Sequence, residues 1–313
     1  MYKQLIRPLL FQLPPETIHH LIMAAMRVLH YIPGGRLLLR MFYTTRHPSL
    51  VREVFGIRFP NPVGLAAGFD KDAEVYEEMA SLGFGFVEVG TITPLAQPGN
   101  PKPRLFRLPM DHALINRMGF NNQGVASAVH RLHRRNRFYH RRHPVVLGGN
   151  LGKNTLTPNE KAPADYLRLF RSLYEYVNYF VINVSCPNVA NLSCLQNKEH
   201  LKKLLEGLID FRRGQNHYRP ILLKISPDLS DEQIDEMIEV LVENGLDGIV
   251  ATNTTTSRQG LLTPSDLVAE IGNGGLSGGP LTERSLEMVR YIHKKTEGRF
   301  PIIGVGGIMT EDD

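Results

Sequence analysis

Two kinds of hydrophobic pattern divide this chain. From Pro62 onward, short apolar runs alternate with stretches whose apolar residues recur at helical spacing. The runs are PVGLAAG (62–68), FGFVEVGT (84–91), VVLGGNLG (145–152), FVINVS (180–185), ILLKIS (221–226), GIVATNT (248–254) and PIIGVGG (301–307). Each is short and ends in turn-forming residues, the signature of a strand. Between two of them lies SDEQIDEMIEVLVENG, in which Ser230 and Gln233 form a capping box and Gly245 fits the helix end. Strand–helix alternation predicts a parallel sheet with crossover helices, and continuous apolar strands predict that both of its faces are covered. Seven such strands precede the terminal MTEDD, whereas a (β/α)₈ TIM barrel needs eight. An open seven-stranded barrel would leave two long edges unpaired. The expected fold is therefore α/β, a (β/α)₈ TIM barrel whose C-terminal end is missing after the seventh strand.

The first 48 residues follow a different period. Leu5, Ile6, Leu9, Leu10 and Leu13 precede a Pro14–Pro15 break, and Pro15 suits a helix start. Ile18, Leu21, Ile22, Ala25, Met26 and Leu29 then form an amphipathic stripe, and RLLLRMF (36–42) adds apolar surface between arginines. Residues 1–48 are expected to form a small helical extension and residues 49–313 the barrel. The stripe admits two readings: packing on the barrel, or a surface that touches a membrane or admits an apolar substrate.

Charge changes this picture little. The 313 residues carry a net charge of +5, with much of the excess in HRLHRRNRFYHRRH (130–143). Apolar Val125, Ala128, Val129 and Leu132 lead into that segment at helical spacing, which favours a surface helix with a solvated basic face over a patch for anionic lipid or nucleic acid. No nucleic-acid motif accompanies it. Two cysteines, Cys186 and Cys194, make neither a disulfide framework nor a metal-ligand spacing, and point to a reducing compartment. A secretory signal pattern is not seen at the start, and no apolar run approaches the ~18–20 residues that span a bilayer.

The candidate chemistry lies at the strand ends, which converge on one face of such a barrel. They carry Ala67, Gly68, Asp70 and Lys71; Glu88 and Thr91; Asn150 and Lys153; Asn183, Ser185, Cys186 and Asn188; Lys224; Thr252, Asn253 and Thr254; and Gly304, Gly306 and Gly307. An Asn at a strand end often only ties down a loop. Seven strands ending in this way point instead to a ligand. Amides both donate and accept, which suits a planar heterocycle with alternating C=O and N–H groups. One of two lysines can pair a substrate carboxylate, and the other can offset charge arising on an electron sink. GGLSGGP (274–280) and GVGG (304–307) offer bare backbone N–H groups to a phosphate at the sixth and seventh barrel positions. A phosphorylated cofactor such as flavin mononucleotide (FMN) fits this set. Cys186 is then either an inert buried thiol or a base whose pKa cationic neighbours lower toward neutral.

These motifs together resemble the dihydroorotate dehydrogenase family: LAAGFDKD (65–72), EVGTITPLAQPGNPKPRLFRL (88–108), INRMGFNNQG (115–124), NLGKN (150–154), INVSCPN (182–188), LKISPDL (223–229), ATNTT (251–255), GGLSGGPL (274–281) and IIGVGGI (302–308). The helical extension and INRMGFNN resemble its membrane-associated, quinone-dependent class 2 branch, in which the extension forms the quinone access path. The resemblance implies an enzyme of pyrimidine biosynthesis, peripheral on the cytoplasmic face of the cell membrane, with FMN, dihydroorotate, quinone and the bilayer surface as partners and no nucleic acid or metal. It implies that Ala67, Gly68, Lys71, Thr91, Asn150, Asn183, Lys224, Thr252, Gly278 and Gly307 hold FMN. Dihydroorotate falls to Lys71, Asn116, Arg117, Met118, Gly119, Phe120, Asn183, Asn188, Asn253 and Thr254. Cys186 becomes the base at substrate C5, and Lys224 stabilises the reduced flavin's charge. One departure stands out: class 2 members usually have Ser where this chain has Cys186, a habit of the soluble class 1 branch. A class 1-like enzyme using fumarate or NAD is the nearest rival, followed by another FMN barrel oxidoreductase and a non-catalytic membrane-surface barrel.

Overall fold

A computed structural model of the chain describes residues 2–136, 145–189, 192, 195 and 198–313. Most of the basic stretch after Asn136, Cys194 and part of the loop after Asn188 lie outside the described residues. Seven strands form the main sheet: β1 (Gly64–Leu65), β2 (Phe86–Ile92), β3 (Val146–Leu151), β4 (Tyr179–Asn183), β5 (Ile221–Ile225), β6 (Gly248–Ala251) and β7 (Ile302–Gly304). Their order is β7-β6-β5-β4-β3-β2-β1, and every pairing is parallel. A helix follows each of the first six, among them Tyr76–Ser81, Ala162–Leu173 and Asp231–Glu243. The last of these starts with the expected Ser230–Gln233 capping box. Sequential parallel neighbours with helical crossovers make a curled α/β sheet of the TIM-barrel type.

Both faces of the strands are covered, as their unbroken apolar runs require. On β4, Tyr179 and Val181 face an inner core with Phe86, Val146, Leu222 and Val250. Phe180 and Ile182 face an outer core with Leu169, Phe170, Leu204 and Val240 of the helices. A hairpin of Arg52–Val54 and Ile57–Phe59 closes the inner core from below, with the Phe59 ring 5.3 Å from that of Phe86.

Two parts of the architecture have no counterpart in the sequence reading. That hairpin is one. The other is an antiparallel sheet of Leu105–Leu108, Ala113–Asn116 and Gly275–Gly278. GGLSGGP is thus half strand: Gly279–Leu281 forms a 3-10 turn, and the helix begins at Thr282.

The extension comprises Tyr2–Ile6 in π-helical form, then α-helices Arg7–Phe11, Pro15–Tyr31 and Gly35–Tyr43. Ile18 and Met23 are buried, Met23 within the outer core, and ion pairs add to this attachment. Glu16 accepts from Arg104 at 2.8 Å, Arg27 meets Glu74 at 3.1 Å, His30 meets Glu78 at 2.8 Å, and Arg36 pairs with Glu77. The opposite face exposes Leu5, Leu9, Leu21, Val28, Leu37, Leu38, Met41 and Phe42. No described helix is long and apolar enough to cross a membrane.

Candidate active site

The strand register sets up the site. Asn183 pairs with Lys224 across β4 and β5, so both side chains point inward at the same level. Above the inner core these polar residues meet loop residues in a cavity of about 410 Å³. Its walls include Ala67, Gly68, Lys71, Thr91, Asn116, Met118, Gly119, Phe120, Asn183, Cys186, Asn188, Lys224, Thr252, Asn253 and Thr254.

Amides knit these walls together. Asn253 Nδ2 donates to Ser185 Oγ at 2.9 Å and to Asn183 Oδ1 at 3.2 Å. Asn183 Nδ2 donates to Thr91 Oγ1 at 3.0 Å and to Asn150 Oδ1 at 3.2 Å. Asn188 Nδ2 donates to Asn116 Oδ1 at 3.0 Å. The buried Tyr166 hydroxyl fixes the β4 tip by donating to the Asn183 carbonyl at 2.8 Å. An amide and a hydroxyl in a strand that otherwise belongs to the core therefore bond one another at its carboxyl end, where burial is affordable only because the groups are paired.

Three residues predicted for the cofactor do not line this cavity. Asn150 is fully buried beneath Thr91 and Asn183. Gly278 and Gly307 line a second cavity, of about 650 Å³, which adjoins the first at Ala66, Val305 and Gly306. Arg117 is not brought to the cavity with its neighbours: its guanidinium donates to the Pro103 and Ile271 carbonyls and lies 4.9 Å from the Phe106 ring centre, so it braces the loop outside.

The lysines are shaped by burial. Lys71 is brought down to about 8, first by burial and then by the Arg104 charge, against the pull of Cys186, Asp72 and Glu16. It donates to Met118 Sδ at 3.2 Å and to Asn121 Oδ1. Burial likewise lowers Lys224, which Glu88 and Cys186 partly offset. For Cys186, burial opposes the two lysine charges. Burial pushes the thiol up to about 11, outweighing the Asn188 hydrogen bonds and the two lysine charges.

A pH dependence follows from Lys71. Its ammonium is complete below pH 8 and is lost above it, so affinity for an anionic ligand should fall roughly tenfold per pH unit beyond 8. Titrating orotate binding between pH 7 and 10 checks this, and a flat profile would remove Lys71 from the ligand's carboxylate.

Sequence reasoning missed several walls. His19 of the extension and Phe69 line the cavity, with their rings edge to face at 4.9 Å. Leu105, Leu114 and Ser277 reach it from the antiparallel sheet. His19 lies inside an amphipathic stripe, and nothing local distinguishes it from its neighbour His20.

The residues present fit a flavin on three observations. Lys224 Nζ has no hydrogen-bond partner among the described residues, and Asn150 Nδ2 is buried without one. Gly68 (φ +114) has nothing within 4 Å of where a Cβ would stand, so its bare backbone faces open space. The second cavity extends past the glycine turns, leaving room for a phosphate tail.

Parallel strands carrying amides and ammonium groups at one end of a TIM-type sheet, over one cavity, define an enzyme of the barrel class. The family model described as Dihydroorotate dehydrogenase matches residues 49–313. Dihydroorotate dehydrogenase (quinone) of Christiangramia forsetii is 53% identical over 313 residues, covering 100% of this chain and 89% of that relative. The protein of the same description from Rhodococcus opacus is 49% identical over 312 residues, covering 100% and 84%. Ligand-free DHODH from Eimeria tenella superposes with a TM-score of 0.85 at 37% identity, covering 95% of this chain and 84% of that one. The chain belongs to the dihydroorotate dehydrogenase family of flavoenzymes, in its quinone-dependent class 2 branch.

Proposed function

We propose that this protein oxidises dihydroorotate to orotate with FMN as cofactor and quinone as electron acceptor, on the cytoplasmic face of a membrane. The observation that carries this reading is convergence: Lys71, Lys224, Asn183 and Cys186, from three segments of the chain, line one cavity. A bound flavin supplies the acceptor for the hydride that leaves substrate C6 and passes the electrons to quinone.

The chain's own residues do the rest. Lys71 meets the substrate carboxylate. Asn116, Asn188, Asn253 and Thr254 match the ring's C=O and N–H groups. Cys186 takes the C5 proton. Lys224 offsets negative charge gathering at its end of the cavity. Phe120, Leu105 and Leu114 keep water out. Quinone approaches past His19 and Phe69, beneath the extension, whose exposed apolar face rests on the lipid surface.

The test is optical. Purified protein should be yellow and should bleach when dihydroorotate is added without oxygen. Reoxidation should be fast with ubiquinone or menaquinone and slow with fumarate or NAD. A colourless protein, or one that dihydroorotate does not bleach, refutes the reading, and preference for fumarate or NAD places the chain with the soluble enzymes instead. Sedimentation with lipid vesicles, lost when residues 1–48 are removed, tests the membrane surface separately.

A further inference from the structure

Glu88 on β2 is a carboxyl that the reaction above does not use. It is 1% exposed and stands above the inner core of Phe86, Val146, Val181 and Leu222. Its neighbour on β3 is Gly148, which pairs in turn with Tyr179 on β4. A Cβ at Gly148 would lie 2.4 Å from the Tyr179 ring and 2.6 Å from its hydroxyl oxygen. Glycine there lets the tyrosine cross β3 and donate to Glu88 Oε1 at 3.3 Å. Glu88 Oε2 has no hydrogen-bond partner among the described residues.

Burial raises the Glu88 pKa, opposed first by the Lys224 charge and then by the Asn150 amide, the Tyr179 hydroxyl and the Ala67 N–H beside it, and a buried carboxylate needs such support to stay ionised. Lys224 is within electrostatic reach, and each charge favours the other although the two do not touch. The other titratable groups facing this pair are the Tyr179 hydroxyl beside Glu88 and the Cys186 thiol beside Lys224. Lys224 faces the ligand cavity, whereas Glu88 faces the adjoining one, behind it.

We propose that Glu88 is a positioning residue for dihydroorotate oxidation that acts through Lys224, holding its amine in the ammonium form at the barrel mouth. This rests on the flavin-dependent reading above. Without the carboxylate, burial acts on Lys224 unopposed and favours the neutral amine. The charge available to offset electrons delivered into the cavity is then lost.

The experiment compares flavin-loaded wild type, Glu88→Gln, Lys224→Met and the double variant, measuring the midpoint potential of the bound flavin against pH. Wild type that carries no flavin, or that dihydroorotate does not bleach, refutes the functional reading and this proposal with it. Otherwise Glu88→Gln should make the flavin harder to reduce by at least tenfold in equilibrium constant, or ~30 mV for two electrons. The onset should move to lower pH. In the Lys224→Met background Glu88→Gln should add nothing, because its only route is gone. Glu88→Asp, which keeps the charge, should stay near wild type. Should Glu88→Gln not fold, Tyr179→Phe weakens the same carboxylate and should shift the potential in the same direction. A flavin that becomes easier to reduce, as simple removal of a nearby negative charge predicts, overturns the proposal. So does a Glu88→Gln shift that persists without Lys224.

Discussion

Cys186→Ala is expected to lower turnover of dihydroorotate by about 10²–10⁴-fold, the usual contribution of a positioned proton acceptor, while leaving orotate binding intact. The thiol is 9% exposed and lies among Asn188, Lys71 and Lys224. Its elevated value of about 11 sets the pH dependence. Only the thiolate accepts the proton, so kcat should rise about tenfold per pH unit through neutrality. Lys71, near 8, titrates in the opposite sense for binding. The free enzyme needs both the ammonium and the thiolate. Therefore kcat/KM should climb to about pH 8 and then stay level until about pH 11, because one population falls as the other grows. Alkylation of the resting enzyme should be slow at pH 7 and quicken with the same slope. Stopped-flow bleaching across this range measures the slope directly, and full activity in Cys186→Ala would assign the proton to another group.

Arg104→Met should cost ~3–5 kcal/mol of stability, the effect of stripping one partner from a buried ion pair. The guanidinium is 6% exposed and every edge of it is used: Glu16 on one side, the Pro98 and Asn100 carbonyls at 2.6 and 2.9 Å on the other. Burial would raise the Glu16 pKa, but Arg104 and Lys102 overcome this and hold it below its ordinary value. A carboxylate held low contributes stability that is complete above its unfolded pKa and fades as acid approaches the folded one. The extension should thus stay docked at neutral pH and loosen only in strong acid. In Arg104→Met it should loosen at neutral pH, seen as early proteolysis within residues 1–48. The double replacement Glu16→Leu with Arg104→Met should recover most of the loss, since no charge is then left buried. If Arg104→Met alone unfolds at the wild-type urea midpoint, the pair is not what fixes the extension.

The fold was legible because its cause is local. Seven apolar runs separated by helical periods admit little besides a parallel sheet with helices outside, and Ser230 with Gln233 marked one helix start to the residue. The site was legible for the same reason, since strand ends such as Asn183 and Lys224 carry their position with them. What stayed hidden depends on distant partners. Leu105–Leu108, Ala113–Asn116 and Gly275–Gly278 form one sheet only because Gly275–Gly278 returns across more than a hundred residues. Arg117 stood within a motif that otherwise lines the cavity, and only three dimensions show that its guanidinium turns away. The sequence left Cys186 open between a buried thiol and an acidified base, because neighbouring charges are visible in a sequence whereas the depth of burial is not.

Beside a small apolar contact through Ile18 and Met23, carboxylates and guanidinium groups of the first 48 residues face the protein, while several leucines and Phe42 face away from it. Detergent and lipid compete for grease, and grease is what this segment already presents to them. A micelle can therefore cover the segment without prising it from the barrel, so solubilisation should leave the roof over the cavity in place.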